Sequence, residues 1–112
     1  MQPLAFIHDL RWSDIPDTAR DAALNCLIDT LGVGLAARQT RLSQIIHDHA
    51  ARHFAGGRAR LWQDGRTVSP VGAALANGMT IDAVDAHDGH KLTKGHVGCG
   101  VIPALLKSGW AN

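Results

Sequence analysis

Apolar residues recur at helical spacing over two stretches of this chain and crowd together over a third. From Ala19 the positions Ala23, Leu27 and Leu31 follow at intervals of four, with Leu24, Ile28 and Leu35 beside them and Asp21, Asn25 and Asp29 opposite. That is the pattern of a helix with one buried stripe. Ser13-Asp14-Ile15-Pro16-Asp17 marks its start, because it offers a capping side chain, a proline suited to the first turn and acids where the helix dipole favours them. Gly32 and Gly34 thin its last turns. Thr40 can cap a second helix whose apolar face is Leu42, Ile45, Ile46, His49, Ala50 and His53, ended by Gly56-Gly57. Segments 59–63 and 66–68 flank Asp64-Gly65, a two-residue hairpin signal. Ser69-Pro70 opens a third helix to about Val84, almost wholly small and apolar but interrupted by Asn77 and Asp82. Gly98-Cys99-Gly100 then leads into a fourth helix over 101–107, with Pro103 in or near its first turn and Gly109 past its end. The pattern predicts a mainly α fold with one small β-hairpin.

Composition adds a weakness to this picture. Aromatic residues make up 4% of the 112 positions and tyrosine is absent. The apolar mass comes from Ala, Leu, Val and Ile, which let helices approach closely but bury little area per residue. The chain has room for one domain, and it is expected to need a partner surface, either another subunit or further sequence. A net charge of +1 with interspersed signs gives no electrostatic case for nucleic acid or an anionic membrane. Residues 1–10 lack the basic and apolar regions of a secretory signal, and no apolar run approaches the ~18 residues needed to span a bilayer. Cys26 and Cys99 sit among small apolar residues, as buried free thiols of a reducing compartment do, so the expected location is the cytoplasm.

The candidate chemistry lies in one stretch, 85–96. Asp85, His87, Asp88, His90, Lys91, Lys94 and His96 stand there within twelve residues, held between two apolar helices. A histidine can move a proton near neutral pH and an aspartate can orient it or share that proton. Lys91 and Lys94 can hold carboxylates as point charges. The Gly98-Cys99-Gly100 amides, at a helix N-terminus, can take another carboxylate or an enolate oxygen. Composition alone leaves three readings open: a solvated surface loop, an acid/base site for proton abstraction beside a carboxylate, and a metal site built from Asp and His. Against the metal, the spacing matches none of the usual zinc patterns. His49 and His53 read as packed histidines, Asp29 and Asn77 as buried polar residues satisfied by backbone groups, and Cys99 as a small packing residue.

Residues 77–88 (Asn-Gly-Met-Thr-Ile-Asp-Ala-Val-Asp-Ala-His-Asp), then Gly95-His96-Val97-Gly98, then Val101-Ile102-Pro103-Ala104-Leu105-Leu106, form a set that resembles the signature segment of the MmgE/PrpD family. Ile28-Asp29-Thr30-Leu31-Gly32-Val33 is similar to that family's first long helix. The resemblance spans nearly the whole chain, in order. It implies the N-terminal part of an all-helical domain, with the family's smaller lid domain absent, so that residues 1–112 read as a fragment. It also implies cofactor-independent lyase or isomerase chemistry (dehydration, decarboxylation or epimerisation of small di- and tricarboxylates) in a homodimer, with no metal. On this resemblance Asp85 and His96 are the catalytic residues, and His90, Lys91 and Lys94 are candidates to bind substrate carboxylates. Three departures stand out. Val97 follows the histidine where proline is common, and the loop from Asp85 to His96 is one residue longer than in decarboxylase-like members. The family's further catalytic positions would lie beyond Asn112, so the chain alone is expected to be inactive. The rival reading is a helical remnant acting only as a subunit-interaction module, with a metal-binding module behind it.

Overall fold

The computed structural model describes residues 2–108. A short helix α1 (Pro3–Asp9) and a 3₁₀ turn (Trp12–Asp14) precede the long helix α2 (Asp17–Ala37). Helix α3 (Arg41–His53), strands β1 (Ala59–Arg60) and β2 (Thr67–Val68), and helix α4 (Pro70–Asp82) follow. Strands β3 (Gly89–His90) and β4 (Gly95–His96) then lead straight into α5 (Val97–Ser108). The chain is mainly helical with two small antiparallel strand pairs, one more than its sequence pattern predicts. No helix among the described residues is long and apolar enough to cross a membrane.

Two helix starts follow directly from local chemistry. The Thr40 hydroxyl accepts the Ser43 amide at 3.2 Å, and the Ser69 hydroxyl accepts the Gly72 amide at 3.2 Å. Each satisfies a backbone donor that a helix N-terminus otherwise leaves without a partner. Pro70 sits beside the second cap, where no amide is needed.

Helix α4 is the centre of the domain and packs against α2, α3 and α5. Its small residues make this possible. A methyl group on Gly78 would come within 2.6 Å of the Cys99 carbonyl oxygen, so α4 and α5 cross at a distance that only glycine permits. The core gathers Ile46, Ala50, Ala59, Leu61, Val68, Ala73 and Ala76, with Phe54 and Met79 against it. Asn77 is buried in α4 and bonded at both ends of its amide: its Oδ1 accepts the Trp62 amide at 3.0 Å and its Nδ2 donates to the Arg60 carbonyl at 3.2 Å.

Several expectations are corrected by this packing. The face of α2 that is buried is Thr30, Gly34 and Ala37, while Leu24, Ile28 and Leu35 are exposed, as are Asp29 and Cys26. Small side chains occupy the buried face because α4 comes close. In α3 the buried face is Ser43, Ile46, His47 and Ala50, and Leu42, Ile45, His49 and His53 are exposed. Strands β1 and β2 pair Ala59 with Val68 and Arg60 with Thr67. The Leu61 amide then bonds the Arg66 carbonyl at 3.1 Å, so the turn holds four residues rather than Asp64-Gly65 alone. Gln63 and Gly65 take φ of 52° and 82° within it. Helix α5 begins at Val97, which puts Pro103 in its interior rather than its first turn. Gly109 lies outside the described residues.

The turn is longer because Asp64 reaches inward. Its carboxylate accepts from Arg38 Nη2 at 2.6 Å, from His47 Nδ1 at 3.0 Å and from the Arg66 guanidinium. The other nitrogen of His47 lies 3.1 Å from the Thr80 hydroxyl, which is 2.8 Å from that of Ser43. His47, Ser43 and Thr80 are fully buried. Burial is the main reason the His47 imidazole is pushed below its ordinary pKa of 6.5, the Asp64 bond opposing it. The hydrogen bond from Arg66 is the main reason the Asp64 carboxyl is held far below its ordinary 3.8.

The pH dependence of stability follows with a definite sign. As pH falls below 6.5 the unfolded chain protonates this histidine before the folded one does, so the stability present above 6.5 is progressively lost. As pH falls below 3.8 the same argument removes the contribution of Asp64. Urea titrations across pH are expected to show a midpoint that declines from about pH 6.5 downward and again below about 3.8. His47→Gln should abolish the upper decline and leave the lower one; persistence of the upper decline in that variant would assign it to another group.

Candidate functional site

The stretch 85–96 is an ordered hairpin with its ends pinned to α4 and α5. The Asp85 amide bonds the Asp82 carbonyl at 3.1 Å, and Asp85 itself takes φ of 46°, a left-handed conformation that Asp and Asn tolerate better than most residues. This stops α4 and turns the chain. Strands β3 and β4 then pair Gly89 with His96 and His90 with Gly95, and the Lys94 amide closes the turn on the His90 carbonyl at 2.8 Å with Lys94 at φ 51°. His90 Nδ1 accepts the Thr93 amide at 3.4 Å, which fixes its ring over the turn.

The five residues singled out in the sequence come to one end of the domain. His96 Nε2 lies 3.6 Å from Asp85 Oδ1, with His96 about one-third exposed and Asp85 largely exposed. His90, Lys91, Lys94 and His96, together with Gly89 and Gly95, line one shallow recess open to solvent. Within that recess an ammonium or imidazole can face a carboxylate, and the His96–Asp85 pair stands at its edge.

Three neighbours acquire roles that the sequence pattern did not reveal. Asp88 Oδ1 and Oδ2 accept the Gly98 amide at 2.9 and 3.0 Å. The N-terminus of α5, expected to receive a ligand anion on Gly98-Cys99-Gly100, is thus already engaged at Gly98 by the chain's own carboxylate. A methyl group at position 98 would lie 2.6 Å from Asp88 Oδ1, so glycine is what lets amide and carboxylate meet. His87 is buried behind the pair, its ring centroid 4.5 Å from that of His96 in an edge-on arrangement. Its Nε2 donates to Asp82 Oδ1 at 3.2 Å, whereas its Nδ1 has no hydrogen-bond partner among the described residues. The only sequence signal for these roles is the density of Asp and His in the stretch. Cys99 is half-buried and donates to the His96 carbonyl at 3.4 Å. Burial, then the charges of Asp82 and Asp88, push its thiol above the ordinary range, the opposite of what an activated nucleophile needs.

A helical scaffold that presents a pinned His/Asp/Lys hairpin between two closely crossed small-residue helices defines the class of domain. The sequence profile of the MmgE/PrpD N-terminal domain matches residues 4–110, and the chain belongs to that family. No curated protein and no solved structure matches it.

Proposed function

We propose that this domain supplies the proton-handling wall of a cofactor-independent lyase or isomerase acting on a small di- or tricarboxylate. The observation that carries the reading is the His96–Asp85 pair at 3.6 Å on the rim of a recess lined by His90, Lys91 and Lys94. The two lysines and His90 hold the substrate carboxylates. His96 Nε2 takes the proton from the carbon beside one carboxylate, and the C–H electron pair moves into that carboxylate as an enolate. Asp85 Oδ1, 3.6 Å from Nε2, offsets the positive charge that the imidazole gains with the proton. Delivery of a proton to the opposite face of that carbon gives epimerisation; loss of a leaving group from the neighbouring carbon gives elimination. The reading takes the protein to be a cytoplasmic homodimer, and membership of the MmgE/PrpD family supports it.

The test is solvent exchange. The domain, joined to the further catalytic sequence that the family resemblance implies, is incubated in deuterium oxide with a panel of small polycarboxylates, and incorporation beside each carboxylate is followed by proton NMR. Asp85→Asn, which keeps a side chain suited to φ 46°, is expected to slow exchange by about 10²-fold. Equal exchange in variant and parent would sink the assignment of this pair.

A second reading, a subunit-interaction module without catalysis, is favoured by the exposed Leu24, Ile28 and Leu35 on α2. Concentration-independent sedimentation as a monomer would set it aside.

A further inference from the structure

We propose that Asp85, His87 and His96 form a binding site for a first-row divalent transition metal. One ligand atom from each lies within 4.8 Å of the other two. Ligand atoms around a tetrahedral ion stand roughly 3.4 Å apart when the bonds run about 2.1 Å, and the Asp85–His96 edge at 3.6 Å is close to that already. The remaining edges lie within 4.8 Å, and the largely exposed Asp85 side chain can turn toward the ion.

The independent pointer is His87. Its side chain is wholly buried, yet Nδ1 has no hydrogen-bond partner among the described residues. Asp88 is turned to the Gly98 amide, which both its oxygens accept, and the nearer oxygen stands 3.5 Å from Nδ1. The opposite nitrogen donates to Asp82 Oδ1, and a carboxylate on the far nitrogen is the outer partner that metal-binding imidazoles usually have. A neutral imidazole that donates there carries its lone pair on Nδ1. Two imidazoles and one carboxylate suit Zn²⁺, Fe²⁺, Co²⁺ or Ni²⁺ rather than Ca²⁺ or Mg²⁺, and three protein ligands leave a position for water or a carboxylate. A second set, Asp82, His87 and Cys99, shares His87, but there Asp82 is already the partner of Nε2 and the thiol donates to a backbone carbonyl. A metal on His96 removes the proton acceptor, so metal loading and proton transfer exclude each other; that consequence rests on the proposed function, while the binding itself does not.

The experiment reads binding directly, so it is independent of turnover. Tag-free, metal-stripped protein is titrated with Zn²⁺ by calorimetry and with Co²⁺ by visible absorption. His49 and His53, exposed one helical turn apart with ring centroids at 4.5 Å, could hold metal by themselves, so the parent for these titrations is H49Q/H53Q. One-to-one binding is expected there and is expected to survive C99S. In the same background His96→Gln or Asp85→Asn should weaken it by about tenfold or more, and Asp82→Asn by about 10–100-fold. Circular dichroism certifies that each variant is folded; His96 and Asp85 are used because the buried His87 is the position where a change endangers folding. Absence of one-to-one binding in H49Q/H53Q, its loss in C99S, or unchanged affinity in both His96→Gln and Asp85→Asn overturns the site.

Discussion

Asp64→Ala is expected to lower the unfolding free energy by about 3–5 kcal/mol, the cost typical of removing one partner from a buried charged network. The Asp64 side chain is 4% exposed and joins three segments of the chain. Arg38 reaches it from the end of α2, His47 from α3 and Arg66 from the edge of β2. Through His47 the tie continues to Thr80 on α4. Truncation leaves the mostly buried Arg38 guanidinium and the buried His47 imidazole without this acceptor, and desolvated groups without partners are what make such a change costly. The measurement is the urea midpoint at constant slope. Asp48→Ala is the control, since Asp48 pairs with Arg66 only at the surface, at 2.8 Å, and surface pairs contribute about 0–1 kcal/mol. Equal effects from the two variants would mean that Asp64 behaves as a surface residue.

That network also marks the limit of what local sequence patterns convey. Thr40 and Ser69 were legible as caps because each acts on an amide three residues away. Asn77 was legible as a satisfied buried amide because it interrupts an otherwise apolar helix. The phase of α3 was not, and the reason is His47. Apolar periodicity assigned its face to Leu42, Ile45, Ile46, His49, Ala50 and His53, of which Ile46 and Ala50 are buried, but the partners that pull His47 inward are 17 and 33 residues away. The same carboxylate that captures His47 lengthens the Asp64-Gly65 turn. Helix α2 failed differently. Its large apolar residues form a regular stripe, but α4 approaches on the side where Thr30, Gly34 and Ala37 are small, and periodicity counts hydrophobicity rather than room. In the candidate site, residue types carried more than spacing did: a concentration of Asp, His and Lys between two apolar helices pointed to the stretch that folds into the hairpin. Its internal wiring was hidden, because the Asp88–Gly98 bond forms only once β3 and β4 fold the stretch back on itself, and the Asp82–His87 bond only once the chain turns at Asp85.

His96→Gln is expected to lower kcat for the polycarboxylate reaction by about 10²–10⁴-fold, the range that a positioned general base contributes, with KM changed by no more than a few-fold. The split follows from the geometry. The substituted amide keeps a polar side chain of similar reach beside His87 and Asp85, but an amide cannot accept and return a proton near neutral pH. On the proposed reading, carboxylate binding falls to His90, Lys91 and Lys94, which line the same recess as His96. Lys91→Ala and Lys94→Ala should therefore show the opposite split, raising KM while leaving kcat within about tenfold, as expected when an interaction common to ground and transition state is lost. The fold of the H96Q variant should persist, because the ring is about one-third exposed and lies outside the core around Ile46 and Val68. Folded H96Q protein with undiminished kcat would remove His96 from the chemistry. A rise in KM alone would make it a substrate-binding group, and the proton acceptor would then have to be sought elsewhere in the hairpin.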